Sequence, residues 1–488
     1  MKVFLKYMFL LLSFLLLTVF YLMSTQLGHK TMGYFLGKYL SKKTSNIIDV
    51  ESFNLSAYPN LTIDMRINNK AKVYLTGTAT IKTIDMDYHL EGDSYRWNTL
   101  SIDSKINLNG HIKGLISNLV VKGRGKVFDG NVTYSFTKVS NEFKNMKILL
   151  YGVQSQKVLR FLKQKPMLRG RVDIESEFKL FSKYEKIGYS KIFMRRGFLP
   201  TFSSSISFIV NSEIIFENIL YKLNGDIQSE LGSLVVKDAS YHKGQKVGQC
   251  SYNLKIKELD YFETLLKHKY SGDFATHGHL NYKENNFILQ GNTDTFDGEL
   301  TYLYKNDSLD LNLESLSLAK ILHKLNYPAL FKAKVYGDVN YDFENKILFI
   351  NTKLKGTQFK KTKMTNMIYR TTGIDMLTDI YDDSSFVADY KNRYLTGILK
   401  IDNGVNHLYL NDIILNSETN SIDSQFEIKM KEEELFGKIT GTLKSPSVSI
   451  DVKRLIKYQV EKKLGSFFGN STKKKLKDEF EQFREFFK

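Results

Sequence analysis

The sequence contains very little cysteine and proline. Cys250 is the only cysteine among 488 residues, which excludes an intrachain disulfide framework and a zinc site made of several cysteines. Only five prolines occur, and no segment is rich in proline or in glycine and serine. A chain of this length ordinarily predicts about two to four domains. Without a linker, the pattern favours one continuous body, with or without subdivisions.

Motifs that carry catalysis or hold metals are also scarce. His277 and His279 could place two imidazoles on one face of a strand, but no cysteine and no third ligand accompanies them. Solvated histidines are therefore the interpretation we favour. The serines 203–205 lack the context of a nucleophile elbow. No helix is predicted after Gly123-x-Gly125, as a phosphate-binding loop would require. The sequence predicts neither an enzyme nor a cofactor.

The start of the chain combines basic residues with a long apolar run. Lys2 and Lys6 precede residues 7–23, which are almost entirely apolar. Counted from Val3, the stretch has about 20 residues, the length of a transmembrane helix. A cleaved signal peptide has the same basic start, but its apolar run is shorter, and no small-x-small pattern follows Met23. We predict an uncleaved anchor over residues 1–23, a cytoplasmic N-terminus and an exported body.

The formal net charge is +18, a balance that brings nucleic acid to mind as a partner. The lysines, however, are spread along almost the whole chain and are interleaved with Asp and Glu. An exported body also does not meet cytoplasmic nucleic acid. We therefore predict no nucleic-acid partner, and interpret the charge as a solvated lysine-rich face with some affinity for anionic lipid surfaces.

Apolar and polar residues alternate with period two along most of the chain after the anchor. One run places Val335, Val339, Tyr341 and Phe343 on one face and polar residues such as Asp338 on the other. Such strands are typical of an antiparallel sheet that is wet on one side. The high content of tyrosine and phenylalanine also favours strands. The same alternation occurs in runs that contain Ile102, Ile106, Leu108, Val172, Ile174, Phe178, Phe274, Leu280, Ile422, Phe426, Ile428, Ile439 and Leu443.

Turns and helices are expected between these strands. The pairs Asn109-Gly110, Asp129-Gly130, Asn224-Gly225 and Asn403-Gly404 predict hairpin turns. Residues 24–45 read as a helical extension of the anchor. Further amphipathic helices are predicted over residues 158–163, 259–268, 318–325, 366–380, 452–464 and 473–487.

Part of the sequence repeats itself. A shift of 59 positions brings Leu259 onto Leu318 and Gly278 onto Gly337, with Tyr282 onto Tyr341. Each unit is predicted to be a short helix, a strand with a Gly-x-apolar-Asn-Tyr core and a following strand, and a weaker third copy starts at Val158. Stacked repeats of one such unit imply an elongated body. Chance similarity among strands is the alternative.

The C-terminal third carries a more specific pattern. It runs from residues 395–402 through the turn Asn403-Gly404-Val405 and residues 408–415 and 421–430. It closes with Gly441-Thr442-Leu443-Lys444-Ser445-Pro446-Ser447-Val448-Ser449-Ile450-Asp451-Val452 and a basic amphipathic stretch over residues 453–464. In these features the chain resembles the AsmA-like family of bacterial envelope proteins, which is related to repeating β-groove lipid-transfer proteins of the TamB/YhdP type.

The resemblance implies a mainly β fold in which a transmembrane helix precedes an elongated, twisted antiparallel sheet curled into a U-shaped groove, with short amphipathic helices and a C-terminal helix. It implies an inner-membrane-anchored periplasmic protein that carries phospholipid or another acyl-chain lipid between envelope membranes, with outer-membrane or envelope proteins as further partners. No cofactor is needed. The groove walls would be the alternating apolar residues Ile102, Ile106, Leu108, Val172, Ile174, Phe178, Phe274, Leu280, Val335, Val339, Tyr341, Phe343, Ile422, Phe426, Ile428, Ile439, Leu443, Val448 and Ile450.

We predict that the body consists of an N-terminal part over residues 46–258, helix-plus-strand repeats over residues 259–362, an AsmA-like segment over residues 363–452 and C-terminal helices over residues 453–488. The main alternative function is a non-conducting periplasmic tether or assembly factor for outer-membrane proteins. A lipid carrier requires an open groove, whereas a tether fits a sandwich filled with side chains. Periodicity alone does not choose between them.

Overall fold

The computed structural model describes residues 13–458 except for residues 16, 94, 98–99, 167, 199–205, 267, 362–364, 367–368, 370–374, 431–432, 444 and 455. Within these residues the protein is mainly β, and the strand pairings that are described are antiparallel. The predicted mainly β, antiparallel architecture is confirmed. The chain divides into two compact units, Met1–Ser251 (unit 1) and Tyr252–Lys488 (unit 2).

Unit 1 contains a sheet built from hairpins that follow one another along the chain. Each strand pairs with the next, except that β4 pairs with β7 while β5 and β6 form a separate small sheet. The strands are β1 (Ile48–Ala57), β2 (Asn60–Ile67), β3 (Ala71–Ala79), β4 (Thr83–Gly92), β5 (Tyr95–Trp97), β6 (Leu100–Ile102), β7 (Ile106–Leu115), β8 (Asn118–Val127), β9 (Gly130–Val139), β10 (Glu142–Gln154), β11 (Arg169–Phe181), β12 (Lys186–Phe198), β13 (Ser207–Glu217), β14 (Leu220–Ser229) and β15 (Gly232–His242).

Unit 2 repeats this plan, and β16 (Val247–Ile256) contains the boundary between the units. From β17 to β28 each strand again pairs with the next. The strands are β17 (Phe274–Lys283), β18 (Asn286–Thr293), β19 (Glu299–Lys305), β20 (Ser308–Ser317), β21 (Phe331–Asp342), β22 (Ile347–Phe359), β23 (Ser384–Lys391), β24 (Tyr394–Asp402), β25 (His407–Asn416), β26 (Ile422–Met430), β27 (Glu433–Thr442) and β28 (Ser445–Ile450).

One long helix precedes the strands, where residues 24–45 are predicted to be helical, and short helices interrupt the strands close to where amphipathic helices are predicted. They are α1 (Gln26–Thr44), α2 (Ser155–Phe161), a 3₁₀ turn (Leu259–Phe262) followed by α3 (Glu263–Leu266), and α4 (Leu318–Lys324). The prediction of a helix over residues 366–380 is wrong for residues 375–380, which form turns and irregular backbone. Residues 452–454 and 456–458 are helical. The remainder of that helix and the one predicted over residues 473–487 lie outside the described residues.

Among the described residues, no helix has both the length and the apolarity of a membrane span. Residues 13–15 and 17–24 are helical. The other residues of the predicted anchor, 1–12 and 16, lie outside the described part of the chain.

Two of the predicted hairpin turns are wrong. Asp129-Gly130 and Asn403-Gly404 do lie at turns, but Asn109-Gly110 lies in the middle of β7 and Asn224-Gly225 lies in the middle of β14. Gly225 adjoins a register shift in the pairing of β14 with β15, a place where glycine is common in strands. The position of Gly110 inside β7 has a different, steric reason.

Two tyrosines of unit 1 cross over a pair of glycines. Gly110 pairs with Gly123, and Tyr88 and Tyr134 pair with them on either side. The tyrosine hydroxyls are hydrogen-bonded to each other. A Cβ added to Gly123 would lie 2.5 Å from the Tyr88 hydroxyl oxygen and 2.6 Å from Tyr134 Cζ. No side chain therefore fits beneath the rings. Burial of the Tyr134 hydroxyl raises the pKa of this tyrosine.

Unit 2 contains the same arrangement. Gly278 pairs with Gly291, which pairs with Tyr302. The Tyr302 hydroxyl lies 2.5 Å from that of Tyr252 and 2.7 Å from the Thr276 hydroxyl. A Cβ on Gly291 would lie 2.7 Å from the Tyr302 hydroxyl oxygen and 2.8 Å from that of Tyr252. We call each arrangement a tyrosine bridge.

A Phe-Asp-Gly loop follows each tyrosine-bridge glycine pair and contacts the next helix. In unit 1, Lys157 of α2 forms an ion pair with Asp129 (Nζ to Oδ2, 2.7 Å), and the backbone N–H of Gln154 donates to the Phe128 carbonyl at 2.9 Å. Arg171 donates to the carbonyls of Gly152 at 2.8 Å and Asp129 at 3.3 Å. These bonds fix the helix against the bulged end of β10.

The loop of unit 2 has the same set of contacts. Lys320 of α4 forms an ion pair with Asp297 (Nζ to Oδ1, 2.6 Å), and the backbone N–H of Ser317 donates to the Phe296 carbonyl at 2.7 Å. Lys334 donates to the carbonyls of Asp297 at 2.9 Å and Ser315 at 3.1 Å.

Candidate functional site

Most of the apolar residues predicted to line a groove lie in three clusters on one face of the strands, which we call the inward face. The two clusters of unit 2 share Phe331 and Leu399. Unit 1 contains one cluster, in which Val172 is buried and Ile102, Leu108 and Ile174 are half-buried. Helix α2 covers part of it, because Val158 and Phe161 pack against the same residues. Side chains therefore fill this part of the inward face.

A second cluster lies in unit 2 beside α4. Val335 is buried and Val339 half-buried, and both pack with Leu316 and Leu354. Leu318 and Ile321 of α4 pack against this cluster. The alternation predicted for β21 is thus observed, because Lys334 and Asp338 are exposed on the opposite face.

The third cluster brings together the predicted residues of the family-like C-terminal segment. Phe426 and Ile428 are buried in it, and Ile439, Val448 and Ile450 are half-buried. It also contains Tyr381, which is fully buried. The Tyr381 hydroxyl donates to the Met430 sulfur at 3.9 Å, and burial raises the pKa of this tyrosine.

The other predicted residues do not join these clusters. Ile106 and Phe178 are buried elsewhere on the sheet of unit 1. Phe343 follows the end of β21, is 45 % exposed and contacts the rings of Tyr304 and Tyr341. The half-buried remainder consists of Phe274, Leu280, Tyr341, Ile422 and Leu443.

The third cluster encloses a cavity of about 100 Å³, which we call the C-terminal cavity. Every lining residue is apolar, and β21, β22 and β24 to β28 all contribute to the wall. A wall without polar partners gives water little to bind and suits an apolar group. The lining residues are Leu330, Phe331, Phe359, Leu399, Ile401, Leu408, Leu410, Phe426, Ile428, Leu435, Ile439 and Val448.

The C-terminal cavity requires the sheet of unit 2 to curve. Phe331 of β21 and Val448 of β28 line the same cavity. On a flat sheet these strands would be about 34 Å apart, since neighbouring strands are about 4.8 Å apart. The inward faces of the first and last of these strands therefore turn toward each other, and the cavity lies in the space between them.

Two thirds of the cavity wall was not among the predicted residues. Leu399 and Ile401, and Leu408 and Leu410, alternate within the family-like segment, so their periodicity carried a usable signal. Phe359 carries no such signal, because it ends the long strand β22 and reaches the cavity only through the curvature of the sheet.

The start of the C-terminal helix lies on the opposite face of the sheet from the C-terminal cavity. The Arg454 guanidinium stacks over the Phe436 ring at 3.7 Å and approaches Glu427 at 4.0 Å. Phe436 and Glu427 are register partners in β27 and β26. The neighbouring residue Leu435 lines the cavity and points to the other side, so Arg454 lies on the face away from the cavity.

Each unit also has an open concave surface; the one in unit 1 exposes more apolar than polar area, and the one in unit 2 exposes similar amounts of both. In unit 1 this surface spans β2 to β10 and carries Asp87, His111, Lys122 and Arg124. In unit 2 it spans β17 to β22 and carries amides and histidines, including His277, Asn292 and Asn312. No group of three or more His, Cys, Asp or Glu side chains in the described residues is placed to hold a metal ion.

Comparison with known proteins identifies no relative: no protein-family model, no curated protein and no solved structure matches the chain.

Proposed function

We propose that the protein is an inner-membrane-anchored periplasmic lipid carrier that holds the acyl chains of a phospholipid against the apolar inward face of its sheet and moves lipid between envelope membranes. The C-terminal cavity is the observation that carries this proposal. Its wall is apolar without exception, so it favours hydrocarbon and disfavours any polar substrate.

The curvature around the C-terminal cavity supports a U-shaped groove. The wall residues come from strands that would be far apart on a flat sheet, while polar residues such as Lys400, Gln425 and Lys438 are exposed on the outer face. Acyl chains would lie in the curve and the headgroup would stay in water at the open edge. Movement along the groove needs no covalent step.

A non-conducting tether or assembly factor is the second candidate. It is favoured by the cluster in unit 1, where α2 and the side chains of β7 to β13 fill the inward face. A filled interior leaves no path for a lipid along that part of the sheet. The two functions therefore differ in whether lipid reaches the inward face.

Photo-crosslinking of the full chain separates the two. A photoreactive residue is placed at Leu399 or at Ile439, which are half-buried and line the cavity, and in matched controls at Lys400 or Lys438, their exposed neighbours. Lipid carriage predicts adducts with radiolabelled phospholipid several-fold more abundant at the cavity positions. Equal labelling at both faces contradicts the groove, and an absence of lipid at all four positions favours the tether.

A cavity-filling variant gives an independent test. Leu410→Trp adds volume inside the cavity, whereas Ile398→Trp adds the same ring on the outer face of β24, where Ile398 is 43 % exposed. Lipid carriage predicts that Leu410→Trp reduces the phospholipid that co-purifies with the chain and that Ile398→Trp does not. Mass spectrometry of extracted lipid measures both.

A further inference from the structure

The chain turns a sharp corner at Thr25, immediately before α1. The Thr25 hydroxyl accepts from the Gly28 N–H at 3.0 Å and donates to the Tyr21 carbonyl at 2.8 Å. A Cβ added to Gly28 would lie 2.2 Å from the Tyr21 carbonyl oxygen. In a straight helix these residues, seven positions apart, are about 10 Å apart along the axis. Helix α1 therefore does not continue the direction of the helical residues before Thr25.

One face of α1 is fixed to the sheet of unit 1. Gly33 and Gly37 are buried, and Cβ atoms at these positions would lie within 3.2 Å of Val50 and 3.0 Å of the Ile48 carbonyl oxygen. The Ser41 hydroxyl accepts from the backbone N–H of Ile48 at 2.8 Å. Glycine allows the helix to approach β1 this closely, so α1 packs directly against the sheet.

The opposite face of α1 is apolar and aromatic but not covered. Leu27 is 67 % exposed, Tyr34 64 %, Phe35 63 % and Tyr39 59 %. At 100° per residue they occupy one side of the helix, away from Gly33 and Gly37. Aromatic residues in such a position are typical of the boundary between lipid and water.

The charge of α1 is of one sign. Four exposed lysines lie on α1, namely Lys30, Lys38, Lys42 and Lys43, and the first acidic residue of the chain is Asp49. The Lys38 ammonium lies 6.0 Å from the centre of the Tyr34 ring and that of Lys43 6.0 Å from the Tyr39 ring. Lysines interleaved with exposed aromatic rings fit an anionic headgroup layer above acyl chains.

We propose that α1 is an interfacial helix that lies on the surface of an anionic bilayer, with Leu27, Tyr34, Phe35 and Tyr39 inserted among the headgroups and the lysines paired with lipid phosphates. Because the glycine face is fixed to β1, this contact sets the orientation of unit 1 relative to the membrane. The proposal does not depend on lipid transfer, since a tether would gain the same orientation.

A second copy of the chain fits this face less well. In a two-fold symmetric contact the same patch faces itself, so the lysines of one helix would oppose those of the other without an acidic partner on α1. An anionic bilayer supplies the missing charge over the whole length of the helix.

The test uses the full chain with Cys250→Ser and one new cysteine that carries a polarity-sensitive fluorophore. The fluorophore is placed at Phe35→Cys on the exposed face of α1 or at Ile81→Cys, which is 89 % exposed between β3 and β4. The protein is reconstituted into vesicles of phosphatidylcholine alone or with phosphatidylglycerol. We expect a blue shift and quenching by spin-labelled lipid at position 35, larger with phosphatidylglycerol, and neither effect at position 81.

A charge variant tests the role of the lysines. Lys30, Lys38, Lys42 and Lys43 are replaced together by Gln, and the matched control replaces four exposed lysines of the β-body by Gln, namely Lys126, Lys246, Lys332 and Lys353. We expect the α1 variant to lose the additional shift with phosphatidylglycerol and the control to retain it. Because these side chains are exposed, circular dichroism should be unchanged in both.

A separate variant tests the apolar face. Tyr34→Ser with Tyr39→Ser should reduce quenching at position 35 in both lipids and leave its dependence on phosphatidylglycerol in place. The proposal is overturned if the fluorophore at position 35 stays in a water-like environment in both lipids. It is equally overturned if its shift depends on neither phosphatidylglycerol nor the four lysines.

Discussion

Residues 106–139 of unit 1 and residues 274–307 of unit 2 align without a gap at a shift of 168 positions. The shift brings Gly110 onto Gly278, Gly123 onto Gly291 and the Phe-Asp-Gly loop at 128–130 onto that at 296–298. In both units the glycines lie under a tyrosine bridge, and the loop aspartate pairs with a lysine of the next helix. The two regions are therefore copies of one structural unit.

The copies differ at the end of the helix that follows the loop. In unit 1, Phe161 of α2 packs its ring against Phe128 with the centres 5.5 Å apart. When Lys157 of α2 is matched with Lys320 of α4, Phe161 corresponds to Lys324. The Lys324 side chain is buried and donates to the backbone carbonyl and the carboxylate of Asp273. The same helix position is thus held by an aromatic contact in one copy and by an ion pair in the other.

The comparison separates what the unit requires from what it tolerates. Both copies keep the glycines, the tyrosine bridge and the loop, because the tyrosine rings leave no room for a Cβ at the glycine positions. The concave surface changes from charged residues such as Lys122 and Arg124 in unit 1 to Gln290 and Asn292 in unit 2. Both the charged and the uncharged polar side chains are well solvated, so neither set is required by the fold.

The largest expected difference concerns the loop phenylalanines. Phe128 is buried in the cluster of unit 1, whereas Phe296 is only half-buried beside the cluster of unit 2. Phe128→Ala should lower the free energy of unfolding by about 3–5 kcal/mol, and Phe296→Ala by clearly less. Hydrogen-exchange mass spectrometry locates each loss in its own unit. Equal losses would show that the two loops are packed alike.

The tyrosine bridges should respond similarly in both units. Gly123→Ala and Gly291→Ala each place a Cβ within 3 Å of a tyrosine hydroxyl oxygen, and overpacking of this kind costs about 1–3 kcal/mol. Denaturant unfolding measures the loss. Gly244→Ala is the control, because its nearest non-neighbouring atom lies 3.4 Å away in the flexible His242 ring. A neutral Gly123→Ala would contradict the steric requirement.

The loop ion pairs should differ by a smaller amount. The side chains of Lys157 and Asp129 are 22 % and 35 % exposed, whereas those of Lys320 and Asp297 are 49 % and 55 % exposed. Exposed pairs contribute about 0.2–1 kcal/mol, so Lys157→Met should cost more than Lys320→Met. Unfolding at low and high salt measures both, since screening weakens the exposed pair more.

The smallest effect concerns acid stability. The hydrogen bond from Lys324 lowers the pKa of Asp273 below its ordinary value of 3.8. A lowered pKa in the folded state means that this carboxylate stabilises unit 2 above about pH 4 and that its contribution is lost as the pH falls further. Asp273→Asn should therefore flatten the loss of stability of unit 2 between about pH 4 and pH 2.

Its control lies in unit 1. The hydrogen bond from Lys113 lowers the pKa of Asp85 in the same direction, so Asp85→Asn should flatten the acid response of unit 1 and leave that of unit 2 unchanged. Hydrogen exchange at several pH values distinguishes the two. A response of unit 2 that is unaffected by Asp273→Asn would mean that Lys324 is held without the ion pair.

The strands could be predicted from alternation because each has one wet and one dry face, as β26 illustrates with buried Phe426 and Ile428 beside exposed Gln425. The position of Asn109-Gly110 inside β7 could not be predicted, because Gly110 makes room for the Tyr88 ring, which comes from another strand. The predicted shift of 59 positions captured the helix-plus-strand order. The shift of 168 positions relates residues with one structural role, and that role depends on the tyrosine bridges, which only the structure contains.

The candidate site divides in the same way. Sequence alone determined which side of each strand is apolar, since a period of two leaves no other choice when one face meets water. Only the tertiary structure decided which of those residues meet. Curvature brings Phe331 and Val448 to one cavity, and α2 and α4 cover the apolar faces near Val172 and Val335. These contacts join residues far apart in the chain, and their geometry depends on the sheet as a whole.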